Sequence, residues 1–276
     1  MKKVLLTFLA IILVVASVLT LTACGSFNVN NINWKFWEHK QTQDDNTDDG
    51  NTHQVIPPKP TSTFATDDWA TISANSASGL AGNYYNIGDE KGILIGDTLY
   101  IFQILGFNHD DLVSGGKAGI TLGMKGLYDT KYRMNATDTT NGGWNASQMR
   151  TQTLPNIFET LPSELKSVIK LVNKSAVTST SNRNITVSQD KLFLFCRNEI
   201  IGDNDPQYVN EGSQYEYWVG KSDDDKIKQN PNGTFKQYWL RSAHHIWEEF
   251  CTIQDYGQWY LQTPTSLYGV CFGFCV

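Results

Sequence analysis

The apolar residues of this chain fall into a few runs separated by long polar stretches. The first runs from Val4 to Leu21. The next, Gly92 to Phe107 (GILIGDTLYIFQILGF), reads as two strands around a Gly96-Asp97 turn, a hairpin pattern. Asn145 is placed to cap a short helix through Arg150, and Pro155 and Pro162 to open further helical turns. From Leu161, apolar residues recur at Leu165, Val168, Ile169 and Val172, the spacing of one buried helical face, which predicts a helix over 161–172. Lys191 to Phe195 predicts a short strand, and 203–234 is a polar excursion. The closing residues, Tyr238 to Val276, predict three or four strands. Helices in the middle and strands at both ends give an α+β domain whose terminal strands pair.

The N-terminal apolar run follows Lys2 and Lys3 and ends in Leu21-Thr22-Ala23-Cys24. A basic segment, an apolar segment and a small residue before a cleavage site make a secretory signal over 1–23. The Cys directly after the small residue resembles the lipobox of a bacterial lipoprotein. That resemblance implies lipid on Cys24, an extracytoplasmic location and anchorage to the membrane through the lipid. An uncleaved anchor is the other reading of the run. Residues 24–65 read as a disordered tether rich in Asn, Asp, Thr and Pro, leaving a single domain over 66–276. Within the tether, Trp34-Lys35-Phe36-Trp37 sits in the headgroup layer or folds back on the domain; both readings stand.

Charge narrows the function classes. With 22 basic and 28 acidic residues the net charge is −6, which argues against nucleic acid as a partner. Besides Cys24 there are Cys196, Cys251, Cys271 and Cys275. These allow three pairings, with Cys251–Cys275 preferred and four buried free thiols as the alternative. The sequence contains no CxxC, HExxH or GxSxG, and no phosphate-binding Gly-rich loop, so a non-enzymatic protein without a cofactor is expected. Asn108-His109-Asp110-Asp111 offers oxygen ligands for a structural calcium, and a capped turn explains it equally. In a strand, His244 would face with Ile246 and Glu248, and His245 with Trp247 and Glu249; neither set gives three convergent metal ligands.

The closing segment differs from the rest in composition. Residues 1–237 contain 22 Asn and 17 Lys, whereas Tyr238 to Val276 contains neither. At the same density about six are expected. Strands disfavour both residues, which accounts for part of the gap. The middle of the segment instead carries Tyr, Trp, His, Gln, Ser and Thr, the composition of a recognition surface. The candidate ligand-binding residues are Ala243, His244, His245, Ile246, Trp247, Glu248 and Glu249, then Gln254, Asp255 and Tyr256, then Gln258, Trp259, Tyr260 and Gln262, and finally Thr265, Ser266 and Tyr268. Trp239, Phe250, Phe272 and Phe274 are expected in the core, and Trp247, Trp259, Tyr260 and Tyr268 on the surface.

The pieces ILGFNHDD, GKAGITLGM, RMN, GGWNASQMR, LPSELKSVIKLVNK, DKLFLF, EIIGD, YWLRS and FGFCV, in this order, resemble an uncharacterised domain family of bacterial surface lipoproteins. YWLRS followed by the terminal GVCFGFC also resembles the C-type-lectin-like fold of the formylglycine-generating-enzyme type. That fold is the scaffold of variable proteins in diversity-generating retroelements, where a template copied with errors at adenines overwrites the 3′ end of the gene. Asn and Lys codons begin with two adenines, so such copying removes them. The resemblance implies a receptor or adhesin whose C-terminal region 238–276 binds a protein or glycan ligand on another cell, phage or host surface. The catalytic cysteine pair of the enzymes does not map onto this chain. An envelope enzyme and a structural envelope lipoprotein are the alternative readings. If the segment is diversified, a near-copy of the 3′ end differing at template adenines lies beside the gene, together with a reverse transcriptase; absence of that repeat would remove the idea.

Overall fold

The computed structural model describes residues 63–178, 183–202, 208–244 and 246–276. The signal segment, Cys24, nearly all of the tether and His245 therefore lie outside the described residues. Helix α1 (Trp69–Ala77) starts where Asp68 accepts the Thr71 backbone N–H at 2.7 Å. It buries Trp69, Ile72 and Ser76. Strands β1 (Glu90–Ile95) and β2 (Thr98–Phe107) form the predicted hairpin, with Leu94 opposite Leu99 and Ile95 opposite Thr98. Gly96 takes the turn at φ +58°, which a side chain would resist.

The strands join β3 (Ile120–Met124) in a five-stranded sheet of order β1-β2-β3-β10-β6. Its last two members are β10 (Phe272–Cys275) and β6 (Phe193–Leu194). The final strand thus inserts between β3 and β6, antiparallel to both. N-terminal and C-terminal strands share one sheet, as the end-weighted strand pattern predicts. One face of β10 carries Phe272 and Phe274, whose rings lie 5.4 and 5.3 Å from that of Phe102. The other face carries Gly273, opposite Gly123 on β3. A Cβ on Gly273 would lie 2.5 Å from the Phe195 ring and 2.7 Å from the Leu122 carbonyl, so the closing FGFC motif needs its glycine for close approach.

Between the sheet's halves lie α2 (Gly143–Ala146), a π-helical turn (Met149–Thr153), α3 (Leu154–Glu159) and α4 (Ser163–Val168). A two-stranded ribbon follows, β4 (Val172–Val177) with β5 (Ile185–Asp190), then α5 (Arg197–Ile201). Strands β7 (Tyr238–Ala243), β8 (Phe250–Ile253) and β9 (Trp259–Gln262) make a third, antiparallel sheet in that order. The architecture is α+β, several antiparallel sheets with short helices.

Pro155 and Pro162 begin their helices as expected. Three expectations need correction. The helix predicted over 161–172 stops at Val168. Its periodic residues Leu165, Ile169 and Val172 are all buried, but Val172 reaches the core from strand β4. Backbone pairing overrides helical spacing there: Lys170 N–H bonds Cys275 C=O, and Asn173 N–H bonds Asp111 C=O. Asn145 sits within α2 and donates to Thr186 Oγ1 at 2.8 Å instead of capping. The preferred Cys251–Cys275 disulfide does not form. Cys196, Cys251, Cys271 and Cys275 are buried and form no disulfide with one another, with Cys251 on β8 and Cys275 on β10, in different sheets.

Candidate functional site

Four of the sequence pieces each contribute one charged side chain to a single buried cluster. Lys174 on β4 donates to Asp110 Oδ1 and to Glu199 Oε1, both at 2.6 Å, and to the Tyr215 hydroxyl at 3.1 Å. Arg241, from YWLRS on β7, makes a two-pronged pair with Glu199 at 2.5 and 2.8 Å. The same guanidinium donates to the carbonyls of Leu194 and Ser175. Thr121 and Tyr215 hydroxyls donate to the second oxygen of Asp110. Two carboxylates and two cations close a neutral, hydrogen-bonded set, the arrangement that makes buried ions tolerable.

The titration of these groups follows from the pairing. Burial pushes the Asp110 carboxyl up, but the Lys174 ammonium and the hydrogen bonds from Lys174 and Thr121 outweigh it and hold Asp110 well below the carboxylate range. Glu199 is likewise lowered, burial losing to Arg241 and Lys174. Glu211 is the exception. It accepts from Val177 N–H at 2.7 Å and from the Ser242 hydroxyl, yet burial outweighs these bonds and Arg241, so its pKa is raised.

This cluster corrects the calcium reading of Asn108–Asp111. The Asp110 carboxylate is already taken by Lys174, Thr121 and Tyr215, and Asp111 pairs with Lys117 at 2.7 Å. His109 stacks on Tyr215 with ring centroids 4.0 Å apart. Among the described residues, no group of three or more His, Cys, Asp or Glu side chains is placed to hold a metal ion.

From Arg241 and Ser242, β7 runs directly into the candidate ligand-binding residues. His244, Ile246, Trp247 and Glu249 from the β7–β8 loop face Trp259, Tyr260 and Leu261 of β9 across an open cleft of about 640 Å³, which Tyr208 and Arg183 complete. The chain bends back beyond β7: His244 Nδ1 accepts the backbone N–H of Ile246 at 3.2 Å and of Trp247 at 3.1 Å. That nitrogen therefore carries no proton. The His244 ring lies flat against Trp247, 4.6 Å away and tilted by 18°. Below the cleft the buried Arg197 guanidinium lies 4.2 Å from the Tyr208 ring centre and 4.5 Å from that of Trp259. Cation–π contacts of this kind hold the two rings in place.

Six of the described candidates thus meet at one cleft: His244, Ile246, Trp247, Glu249, Trp259 and Tyr260. Ile246, Trp247 and Tyr260 are more than half exposed. The other candidates do different work. Ala243 is buried, and Gln254 is buried with its amide on Thr252. Glu248 reaches back to the Thr140 backbone N–H and hydroxyl, stapling the loop to the 140 region. Asp255, Tyr256 and Gln258 occupy the β8–β9 turn, exposed. Gln262 is half-buried opposite Phe250. Thr265 and Ser266 are half-buried in the loop after β9, and Tyr268 pairs with Tyr132 through its backbone. The expected exposure holds for Trp247 and Tyr260. Trp259 and Tyr268 are half-buried, because Trp259 rests on Arg197 and Tyr208, and Tyr268 rests edge-on against Trp239 at 5.0 Å. The expected core residues Trp239, Phe250, Phe272 and Phe274 are fully buried.

Tyr208, Arg183 and Leu261 were absent from the candidates. Tyr208 lies in a polar excursion without periodicity and Arg183 in the β4–β5 turn, so only folding brings them to the cleft. Leu261 reads as an ordinary inward strand residue.

Comparison with curated proteins and with solved structures finds no match. The matched family region begins at Ala118, just ahead of β3, and runs through β10, taking in Lys174, Glu199, Arg241 and the whole of the β7–β9 sheet. Over these residues, 118–275, the chain belongs to the family described as a domain of unknown function, DUF6273.

Proposed function

We propose that this protein is a lipid-anchored, non-catalytic cell-surface receptor or adhesin that holds its ligand in the cleft between loop 244–249 and β9. The observation that carries this reading is the convergence of six side chains from one compositionally distinct segment on a single aromatic-walled cleft. Ligand sites are concave and largely apolar, with a few polar groups that fix orientation. Here Glu249 and Arg183 supply the charged groups, and Trp247 and Tyr260 supply ring faces with few rotatable bonds to order. The ion pairs of the chain's core support a binding role over catalysis, since their acids and bases are sealed among one another. The C-type-lectin-like assignment draws support from the C-terminal strand lying inside the main sheet beside N-terminal strands. In this reading, Tyr238–Ser242 and Phe272–Cys275, all buried, are fixed scaffold, and the exposed residues between them are the display surface.

Binding of the full chain is tested on an array of bacterial and host glycans and on a phage-displayed library of short linear peptides. Trp247→Ala together with Tyr260→Ala is expected to weaken any captured probe at least about tenfold, with the melting temperature lowered by no more than about 2–4 °C, because both residues are exposed. Binding that survives both changes would refute the cleft. Cys24→Ser is expected to move the protein from the membrane pellet to the soluble fraction; a protein that stays in the pellet is not held by lipid on Cys24.

A further inference from the structure

Three consecutive strand residues, Trp259, Tyr260 and Leu261, line the same cleft. Successive side chains of a strand point to opposite faces, so a cleft that touches all three lies against the strand's edge. Sheet order agrees: β9 is the last strand, bonded to β8 on one side.

The hydrogen-bond phase decides which backbone groups face outward. Gln254 N–H bonds Gln258 C=O at 2.8 Å, in the same register that sets Thr252 opposite Tyr260 and Cys251 opposite Leu261. Bonded and non-bonded pairs alternate in an antiparallel ladder. Tyr260 and Gln262 therefore bond inward to β8, while Trp259 and Leu261 direct their N–H and C=O groups away from it. Among the described residues these outward groups have no backbone partner. Two residues apart on one strand, they stand about 7 Å apart, the repeat of an extended chain.

We propose that the cleft receives an extended polypeptide, which adds to the open edge of β9 as a fourth strand of the β7–β9 sheet. This rests on the reading of the cleft as the ligand site and names its class of partner. The added strand sets an aromatic or branched apolar side chain against Trp247 and Tyr260, and a Lys or Arg opposite Glu249 at the wall. Charge complementarity at the wall sets a basic peptide residue opposite Glu249 and an acidic one opposite Arg183. Main-chain bonds to the edge supply affinity, and the ring-lined pockets supply choice of sequence.

The test uses the full chain and linear peptides selected from the phage-displayed library. Three results are expected. Peptide binding falls about tenfold when alternate peptide amides are N-methylated, the effect of losing one or two backbone hydrogen bonds. Leu261→Pro, which removes an outward N–H that the ladder does not use, weakens the same peptide comparably; because it also removes a buried side chain, its folding is checked by circular dichroism. Hydrogen exchange of the Trp259 and Leu261 amides slows about tenfold on saturation, a readout that needs no variant. Peptides that bind through Trp247 and Tyr260 but ignore N-methylation and leave both amides unprotected would overturn strand addition and leave the cleft standing. So would glycan binding lost in the Trp247→Ala, Tyr260→Ala double variant with no peptide selected. Peptide binding that the double variant leaves intact would overturn both readings.

Discussion

Replacing Arg241 by Met is expected to lower the unfolding free energy by about 3–5 kcal/mol, the cost of stranding a buried charge. The substitution keeps an unbranched apolar stem but leaves Glu199 with Lys174 as its one remaining cation and takes a donor from the carbonyls of Leu194 and Ser175. Because the described domain is of middle size, such a loss lowers the melting temperature by roughly 6–20 °C. Urea unfolding of the wild-type chain and the variant measures it directly, and a loss under about 1 kcal/mol would show that the pair is dispensable. Adding Glu199→Leu to Arg241→Met leaves Lys174 with Asp110 alone. The double variant is expected to be less damaged than the sum of the two singles, since residues in one network do not act additively.

The same cluster sets the pH dependence of stability. Asp110 and Glu199 have folded pKa values below their ordinary values of 3.8 and 4.5. A carboxyl lowered on folding stabilises the native state above its unfolded pKa, and that stabilisation is lost as pH falls through the folded value. Stability begins to fall below those ordinary values, and as pH drops through the lowered folded ones protonation leaves Lys174 and Arg241 buried without counter-charges, so several kcal/mol are lost on the acid side. Glu211 acts in the opposite sense. Its folded pKa is raised above 4.5, so its contribution is full below that value and fades as pH rises through the folded one. Stability is expected to peak in mild acid, to fall steeply below about pH 4 and to decline gently toward neutral pH. Urea midpoints measured across this range test the shape. Glu211→Gln is expected to flatten the decline toward neutral pH while keeping the acid limb, and a profile unchanged in the variant would rule Glu211 out as its source.

Much of the architecture could be read before folding was considered. The Gly96-Asp97 hairpin, the helix starts at Pro155 and Pro162, the Phe193–Leu194 strand and a closing run of three or four strands follow from local patterns, because turn chemistry and side-chain alternation act over a few residues. The helix predicted over 161–172 failed for a reason that local spacing does not contain. Leu165, Ile169 and Val172 are buried at helical intervals, but past Val168 the backbone gains more by bonding to Cys275 and Asp111 than by continuing the coil. The cysteines show the same limit. Their number leaves the pairing open, and placing Cys251 and Cys275 in different sheets is a decision of topology.

By itself the chain determined which residues are apolar, where turns fall, and that Tyr238–Val276 differs in composition and holds the exposed aromatics. Tertiary structure alone decided what the charged motif residues do. Asp110, Lys174, Glu199 and Arg241 lie 25 to 64 residues from their partners in sequence, and no spacing rule reports that they neutralise one another in the core. It also decided which candidates meet. Trp247 and Tyr260 face one cleft while Tyr256 and Tyr268 do not, because strand register and loop closure, not composition, set the direction of each side chain. The open edge of β9 is likewise invisible in sequence, since hydrogen-bond phase exists only once β8 and β9 are paired.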